Sequence, residues 1–387
     1  MSSFATIRLR DQAFGIDIHP TRQLLAAGLV TGQLKIYEWK PASEAAGEAG
    51  AAWQRSSARP HKTDACRVVR FSADGASIFT SGGDMTLQQR DLETNKPIWR
   101  RRDVHSAPVN ALTRLSDVGV ATGDDDGAVT CWDLRAHAAA LKFHENSDYV
   151  ADILYTEQLA KNRHTLAVAG GDGHLSVFDL RAGRLWARSD AMEDELLCLS
   201  LIKDGKKLLC GTQLGVVGIF SWGDFGDVSD RLLGHPSSVD CMLPCGEDAI
   251  LTGSSDGIVR LVSVHPNKVV GVVAEHDDEA GIESLAVDAT GHTLATCAHD
   301  QTIRLWDVAY VHEEDEGSED GGGDDGDDSD SDGSDTMACS TRSNGRGSGA
   351  SHALTDSEGR GRARKQPKQI VAKNASIKIG AEFFADL

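Results

Sequence analysis

The chain has 387 residues, with 59 acidic against 39 basic side chains and a net charge of −20. Hydrophobic residues make up 40%, enough for a large core, and 40 glycines against 9 prolines indicate many tight turns rather than an extended proline-rich chain. The excess of negative charge argues against duplex DNA as a direct ligand of the folded part, because a surface of that sign repels phosphates.

The N-terminal stretch MSSFATIRLRDQ lacks the apolar segment of a secretory signal. No apolar run approaches the ~20 residues that span a bilayer. Eight cysteines are scattered, and Cys241 and Cys245 lack CxxC spacing, so a reducing compartment, cytosol or nucleus, is expected and no metal site is.

In chain order, the first predicted element is a free β-like run, Ser3–Leu9 (SFATIRL). A repeated unit follows from Phe14, and each copy has the same grammar. A strand such as LSLIKDG ends in a turn, a second strand such as KLLCGT follows, and a short turn leads to a third strand such as VTCWDL or TIRLWDV. A weaker fourth strand closes the unit. One residue of the short turn marks each copy: Thr31, Asp84, Asp126, Asp172, Leu214, Asp256 and Asp300, at gaps of 53, 42, 46, 42, 42 and 44. A fixed period of this length is the mark of propeller blades. The long first gap holds the low-complexity stretch 41–52, expected to be a surface insertion. Short strands at regular spacing with no helical period between them argue against a βαβ fold. The expectation is an all-β, seven-bladed propeller over residues 1–310. Its last unit has only three strands, so residues 3–9 are predicted to supply the fourth and remove the free edges.

The residues at these positions resemble the WD-repeat family. Trp132-Asp133 and Trp306-Asp307 end third strands. The family's buried His–Thr–Asp–Trp tetrad is predicted as His105, Thr122, Asp126 and Trp132 in blade 3, and His276, Thr296, Asp300 and Trp306 in blade 7. Blade 6 has His235, Thr252 and Asp256 with Val262; blade 2 has His61, Thr80 and Asp84 with Arg90; blade 4 has His144 and Asp172 with Phe178. Blades 1 and 5 have lost most of the set. A buried Asp with satisfied bonds stabilises a fold and would cost free energy without them, so these residues are read as fold determinants. Within the family, ATGDDDGAVTCWDLR (121–135), FSWGDFGDVSDR (220–231), the stretch 239–273 and the ending FFADL (383–387) are similar to the WD repeat protein 55 branch. That resemblance implies a nuclear, nucleolar scaffold supporting ribosomal RNA production and ribosome assembly, with pre-ribosomal proteins as partners. A plant branch implies docking on a cullin-type ubiquitin ligase instead.

The stretch 120–135 is similar to the motif by which WD proteins dock on the cullin-4 adaptor. It makes Trp132, Asp133 and Arg135 candidate partner contacts, with Asp179 and Arg181 as a second, degenerate copy. Arg135 would offer a bidentate guanidinium at the rim; the alternative is that it pairs locally. Gly253–Gly257 matches GxSxG but lies between two strands, without the strand–turn–helix context of a nucleophile elbow. No constellation of nucleophile, base and orienting residue stands outside the tetrads, so no enzyme activity and no cofactor are expected.

The region 311–387 reads separately. Residues 313–335 hold 13 acidic side chains among Gly and Ser, a composition expected to stay disordered, with 311–359 as an acidic linker. Asp328–Gly333 resembles the front of a calcium loop, but Cys339 stands where the closing Glu belongs. Ser329, with Asp332 three residues on, is a candidate for acid-directed phosphorylation. Arg360, Arg362, Arg364, Lys365 and Lys368 form a basic block expected to act in nuclear targeting or RNA contact. Phe383 and Phe384, in the apolar end of the 360–387 segment, are candidate docking residues. The chain is expected to act as a monomer within complexes.

Overall fold

The computed structural model describes residues 3–41, 52–136, 138–158, 163–277 and 280–311. Ser329, the basic block, Phe383 and Phe384, and most of the 41–52 insertion lie outside the described residues.

The strands form seven four-stranded antiparallel sheets, the blades of a β-propeller. Their inner strands are Ala13–Ile18, Cys66–Phe71, Val109–Ser116, Val150–Gln158, Leu196–Ile202, Val239–Pro244 and Ile282–Val287. Each inner strand packs beside the next, and the seventh returns to the first. Second strands lie between neighbouring blades: Leu24–Leu29, Ser77–Gly82, Gly119–Asp124 and Thr293–Ala298 are buried at every position. This burial explains their small side chains. A Cβ on Gly28 of blade 1 would stand 2.7 Å from the carbonyl oxygen of Cys66 in blade 2, closer than real Cβ atoms approach.

The N-terminal run closes the ring. Ala5–Arg8 pairs antiparallel with Thr302–Asp307, Ala5 opposite Leu305 and Arg8 opposite Thr302. The Phe4 and Leu9 amides extend the ladder to Leu305 and Gln301. Ala5, Ile7 and Leu9 enter one core cluster with residues of blades 1 and 7.

Every inner strand breaks register at the same place, giving a β-bulge at Phe14, Arg67, Asn110, Ala151, Leu197, Asp240 and Glu283. A bulge leaves one residue outside the ladder and re-aims its side chain. All seven bulged residues line one cavity of about 160 Å³ bounded by the inner strands. The propeller thus sets a ring of seven bulged residues, of differing type from blade to blade, around its axis.

Candidate functional site

The turns between second and third strands and the chain crossings between blades share one face, and this face carries the polar networks. In blade 7 the Trp306 indole N–H donates to Thr296 Oγ1 at 3.0 Å, Thr296 and His276 Nε2 are 2.6 Å apart, and His276 Nδ1 lies 2.8 Å from Asp300 Oδ2. Indole can only donate and carboxylate only accept, so donation runs from Trp to Thr, from Thr to His, and from His to Asp. Burial holds the His276 imidazole below its ordinary pKa, against the pull of Asp300. Burial raises the Asp300 carboxyl, but the bonds from His276 and Thr302 outweigh it and the net shift is downward.

Blade 3 departs from the expected set. Its network runs Trp132, Thr122, His105 and Asp124, with His105 Nδ1 2.8 Å from Asp124 Oδ2. Asp126 is exposed and, among the described residues, accepts only from Ser106 Oγ, at 3.3 Å. The tetrad carboxylate of blade 3 is therefore Asp124, not Asp126. The left-handed turn residues show why. In blades 2, 6 and 7 the Asp stands one residue before the positive-φ position (Met85, Gly257, Gln301), whereas Asp124 stands three before Gly127. From there its Oδ2 accepts directly from the His105 imidazole, and its Oδ1 takes the Ala128 amide at 2.7 Å.

The other blades are partial. His61 of blade 2 meets Asp84 at 2.6 Å and Thr80 at 3.1 Å, while Arg90, in the Trp position, turns to Asn95 and Gln88. His235 of blade 6 meets Thr252 at 2.8 Å, but Asp256 is taken by Arg260 at 2.6 and 3.1 Å, and His235 Nδ1 is buried without a partner. In blade 4, His144 is exposed, and the buried side chain is Asn146, which accepts from Ser176 Oγ at 2.6 Å. In blade 5, Cys210, Leu214 and Phe220 stand where Thr, Asp and Trp would.

On the same face the bulge ring opens into a cavity of about 320 Å³ lined by Tyr149, Asp240, Ile282, Glu283 and His299 among others. The ring is charge-segregated. Arg67 is engaged by Asn110 and by Asp125 at 3.1 Å. Across the opening Glu283 meets His299 and takes Gln12 Nε2 at 3.3 Å, and Asp240 has no Lys or Arg partner among the described residues. Burial, with Glu283 adding to it, raises the Asp240 carboxyl to about 6.

Arg135 and Arg181 follow third strands and so belong to the opposite face. Arg135 lies on Asp133, with Nε 3.1 Å from Oδ1 and an Nη 3.0 Å from Oδ2. Asp179 accepts the Ala182 amide at 2.9 Å and faces Arg163 at 3.6 Å, while Arg181 is exposed. Trp132 cannot be a partner contact: it is 1% exposed, packed in the core between blades 2 and 3, and its N–H is committed to Thr122. The cysteine pair is ordinary, with Cys245 buried and Cys241 Sγ 3.9 Å from the Ile282 carbonyl.

Sequence reasoning missed Asp124, the Asp240–Glu283 pair and an apolar groove on blade 5. The first had a signal in three successive aspartates, the second only in the pairing register, and the third in a leucine where five of the other turns carry Asp.

Seven blades, a shared ring of bulges, Trp–Thr–His–Asp networks and an N-terminal closing strand define a WD-repeat β-propeller. Within that class, the WDR55 family matches residues 4–311, and the chain belongs to it. It is 36% identical to WD repeat-containing protein 55 of Arabidopsis thaliana over 308 residues, 79% of this chain and 83% of the relative. The protein of the same name from Homo sapiens is 36% identical over 303 residues, 78% and 76% of the two chains. WD repeat-containing protein JIP5 of Coprinopsis cinerea is 34% identical over 325 residues, 81% and 76%.

Proposed function

We propose that this WD-repeat propeller is a non-enzymatic scaffold that gathers basic proteins in the nucleus and nucleolus, in support of ribosomal RNA production and ribosome assembly. The observation that carries the reading is the charge of the tetrad-bearing face. Asp240, Glu283, Glu193 and Glu195 make no ion pair with Lys or Arg among the described residues. Carboxylates without a Lys or Arg partner, Asp240 and Glu283 at the axial cavity and Glu193 and Glu195 on blade 5, favour cationic partners and speed their encounter. The histidines and aspartates that would otherwise suggest acid–base chemistry are spent on one another in the networks. The basic block from Arg360 to Lys368 directs the chain to the nucleus and offers the segment through which it touches RNA.

The test is co-sedimentation of the tagged full chain with pre-ribosomal particles, with precursor RNA followed on depletion. The expected result is a share of the protein in the particle fractions and accumulation of precursor RNA. A protein that stays at the top of the gradient, with precursor levels unchanged, refutes the reading. Deleting 360–368 should move the chain out of the nucleus, and unchanged localisation removes the targeting role.

The alternative reading, docking on a cullin-4 adaptor, has less to support it, because the Arg135 guanidinium is occupied by Asp133. Arg135→Ala decides it: loss of adaptor pull-down with particle association intact would reverse the preference.

A further inference from the structure

We infer that blade 5 carries a docking groove for a short protein segment with two apolar side chains flanked by Lys or Arg. The inference deepens the scaffold reading and rests on it. Leu214 and Leu233 are 72% and 71% exposed, the two most exposed large hydrophobic residues among those described. They are 19 positions apart in the sequence, on different loops, yet they line one groove of about 530 Å³, with Met192 and Val216 as further apolar lining. Three segments build it on the tetrad-bearing face: the crossing from blade 4, the turn of blade 5, and the exit of its outer strand. That outer strand, Asp230–Leu232, is the shortest in the propeller, so the blade's perimeter is left open.

Two exposed leucines converging on one concavity are the mark of an anchor pocket, since solitary surface apolar residues scatter. The charges choose the occupant. Glu193 and Asp194 share the groove, and Glu195 continues the wall into a neighbouring hollow. None of the three forms an ion pair among the described residues. Asp194 is bound only to backbone amides, those of Glu195 and Leu214, both at 2.9 Å, and Glu195 accepts from Tyr149 Oη at 2.7 Å. The one cation in the lining, Arg231, is exposed and holds no carboxylate among the described residues. Apolar anchors enter the groove while flanking cations meet the acidic wall, and an acid-flanked segment is repelled.

The experiment uses the full-length protein and three labelled synthetic 14-residue peptides, read by fluorescence anisotropy at two salt concentrations. One carries a Leu-x-x-Phe pair flanked by Lys and Arg, one has Glu in place of the basic residues, and one has Ser in place of the apolar pair. The basic–apolar peptide should bind at least tenfold more tightly than either control, and more weakly at high salt. Leu214→Ser combined with Leu233→Ser should abolish the preference with the melting temperature unchanged, since both side chains are exposed. Glu193→Lys should weaken binding and reduce its salt dependence.

Equal binding of the acid-flanked peptide, or a double leucine variant that binds like the native protein, overturns the proposal. Two further outcomes assign the groove to another occupant and also overturn it: a concentration-dependent dimer that the double variant abolishes, or a tenfold gain in peptide affinity on deleting 377–387. If the peptides fail while the native chain and the double variant both co-sediment with pre-ribosomal particles, the groove falls and the scaffold reading stands.

Discussion

Asp124→Ala and Asp126→Ala differ by two positions and should differ several-fold in effect. Asp124 is fully buried and accepts three bonds: from His105 Nδ1 at 2.8 Å, the Ala128 amide at 2.7 Å and the Asp126 amide at 3.1 Å. Removing it strands an imidazole N–H and two turn amides. A buried donor left without an acceptor costs about 1–3 kcal/mol, and water entering the vacated space recovers part of that. The expected loss is about 3–5 kcal/mol, the range for breaking a buried hydrogen-bonded charge. Asp126 is exposed and, among the described residues, touches only Ser106, so its loss should stay within about 0.5 kcal/mol. Urea unfolding of the full chain, followed by tryptophan fluorescence, reads the difference. At a slope of about 3 kcal/mol per molar, Asp124→Ala should shift the midpoint down by about 1–1.7 M, and Asp126→Ala by about 0.2 M or less. Asp124→Asn, which keeps one acceptor oxygen, should fall between. Equal losses at the two positions, or the larger loss at Asp126, would refute the assignment of the carboxylate.

The Asp240 carboxyl titrates near 6 against an ordinary 3.8, so the folded state holds a proton there that the unfolded chain has lost, and stability falls as pH rises through 4–6. Asp240→Asn should therefore be more stable than the native protein by about 1–2 kcal/mol at pH 7.5, after solvent screening, with the gap closing by pH 4 in thermal melts. His235 is held neutral, first by burial and then by Arg260; below pH 6.5 the unfolded chain gains a proton that the folded one does not, and stability is lost as pH falls. His235→Asn should flatten the fall in melting temperature between pH 6.5 and 5, and an unchanged slope would show that His235 does not titrate there. Ile7, 8% exposed in the closing strand, should cost about 2–4 kcal/mol as Ile7→Ala and make aggregation concentration-dependent by freeing an edge, measured by light scattering during the melt.

The seven blades were legible because each turn repeats a left-handed residue at a fixed offset from the strands, and the backbone tolerates few substitutes there. The missing strand of blade 7 was legible from the arithmetic of three strands and one spare. The side-chain networks were legible only where spacing held. Thr80–Asp84, Thr252–Asp256 and Thr296–Asp300 share one interval, and extending it to Thr122 selects Asp126. Blade 3 meets the same imidazole from two residues earlier, a choice that depends on backbone geometry and not on residue type. Asp256 was named correctly as a residue of blade 6 but not in its bonding, because Arg260 lies across the sheet face in reach of it, and a sequence does not show which of two partners a carboxylate takes. The bulge ring was invisible for a similar reason: Phe14, Arg67 and Asp240 share no residue type, and only the pairing register places them together.

Blade 5 shows how a repeat can lose its polar network without losing its fold. Cys210 and Phe220, in the Thr and Trp positions, are both fully buried, so packing replaces hydrogen bonding between the sheets. The turn is held from outside the repeat pattern: Thr212 Oγ1 accepts the Val216 amide at 3.2 Å, and Asp194 of the preceding crossing accepts the Leu214 amide at 2.9 Å. With its backbone satisfied in this way, position 214 has no structural duty left to its side chain. In blades 2, 4, 6 and 7 the same position binds a histidine, an arginine or a turn amide through its carboxylate. Here it is free to be apolar, and the leucine it carries points to solvent beside a second exposed leucine. In blades 3 and 7 the polar residues are bound to one another. The propeller's capacity for apolar recognition is found where that network has been given up.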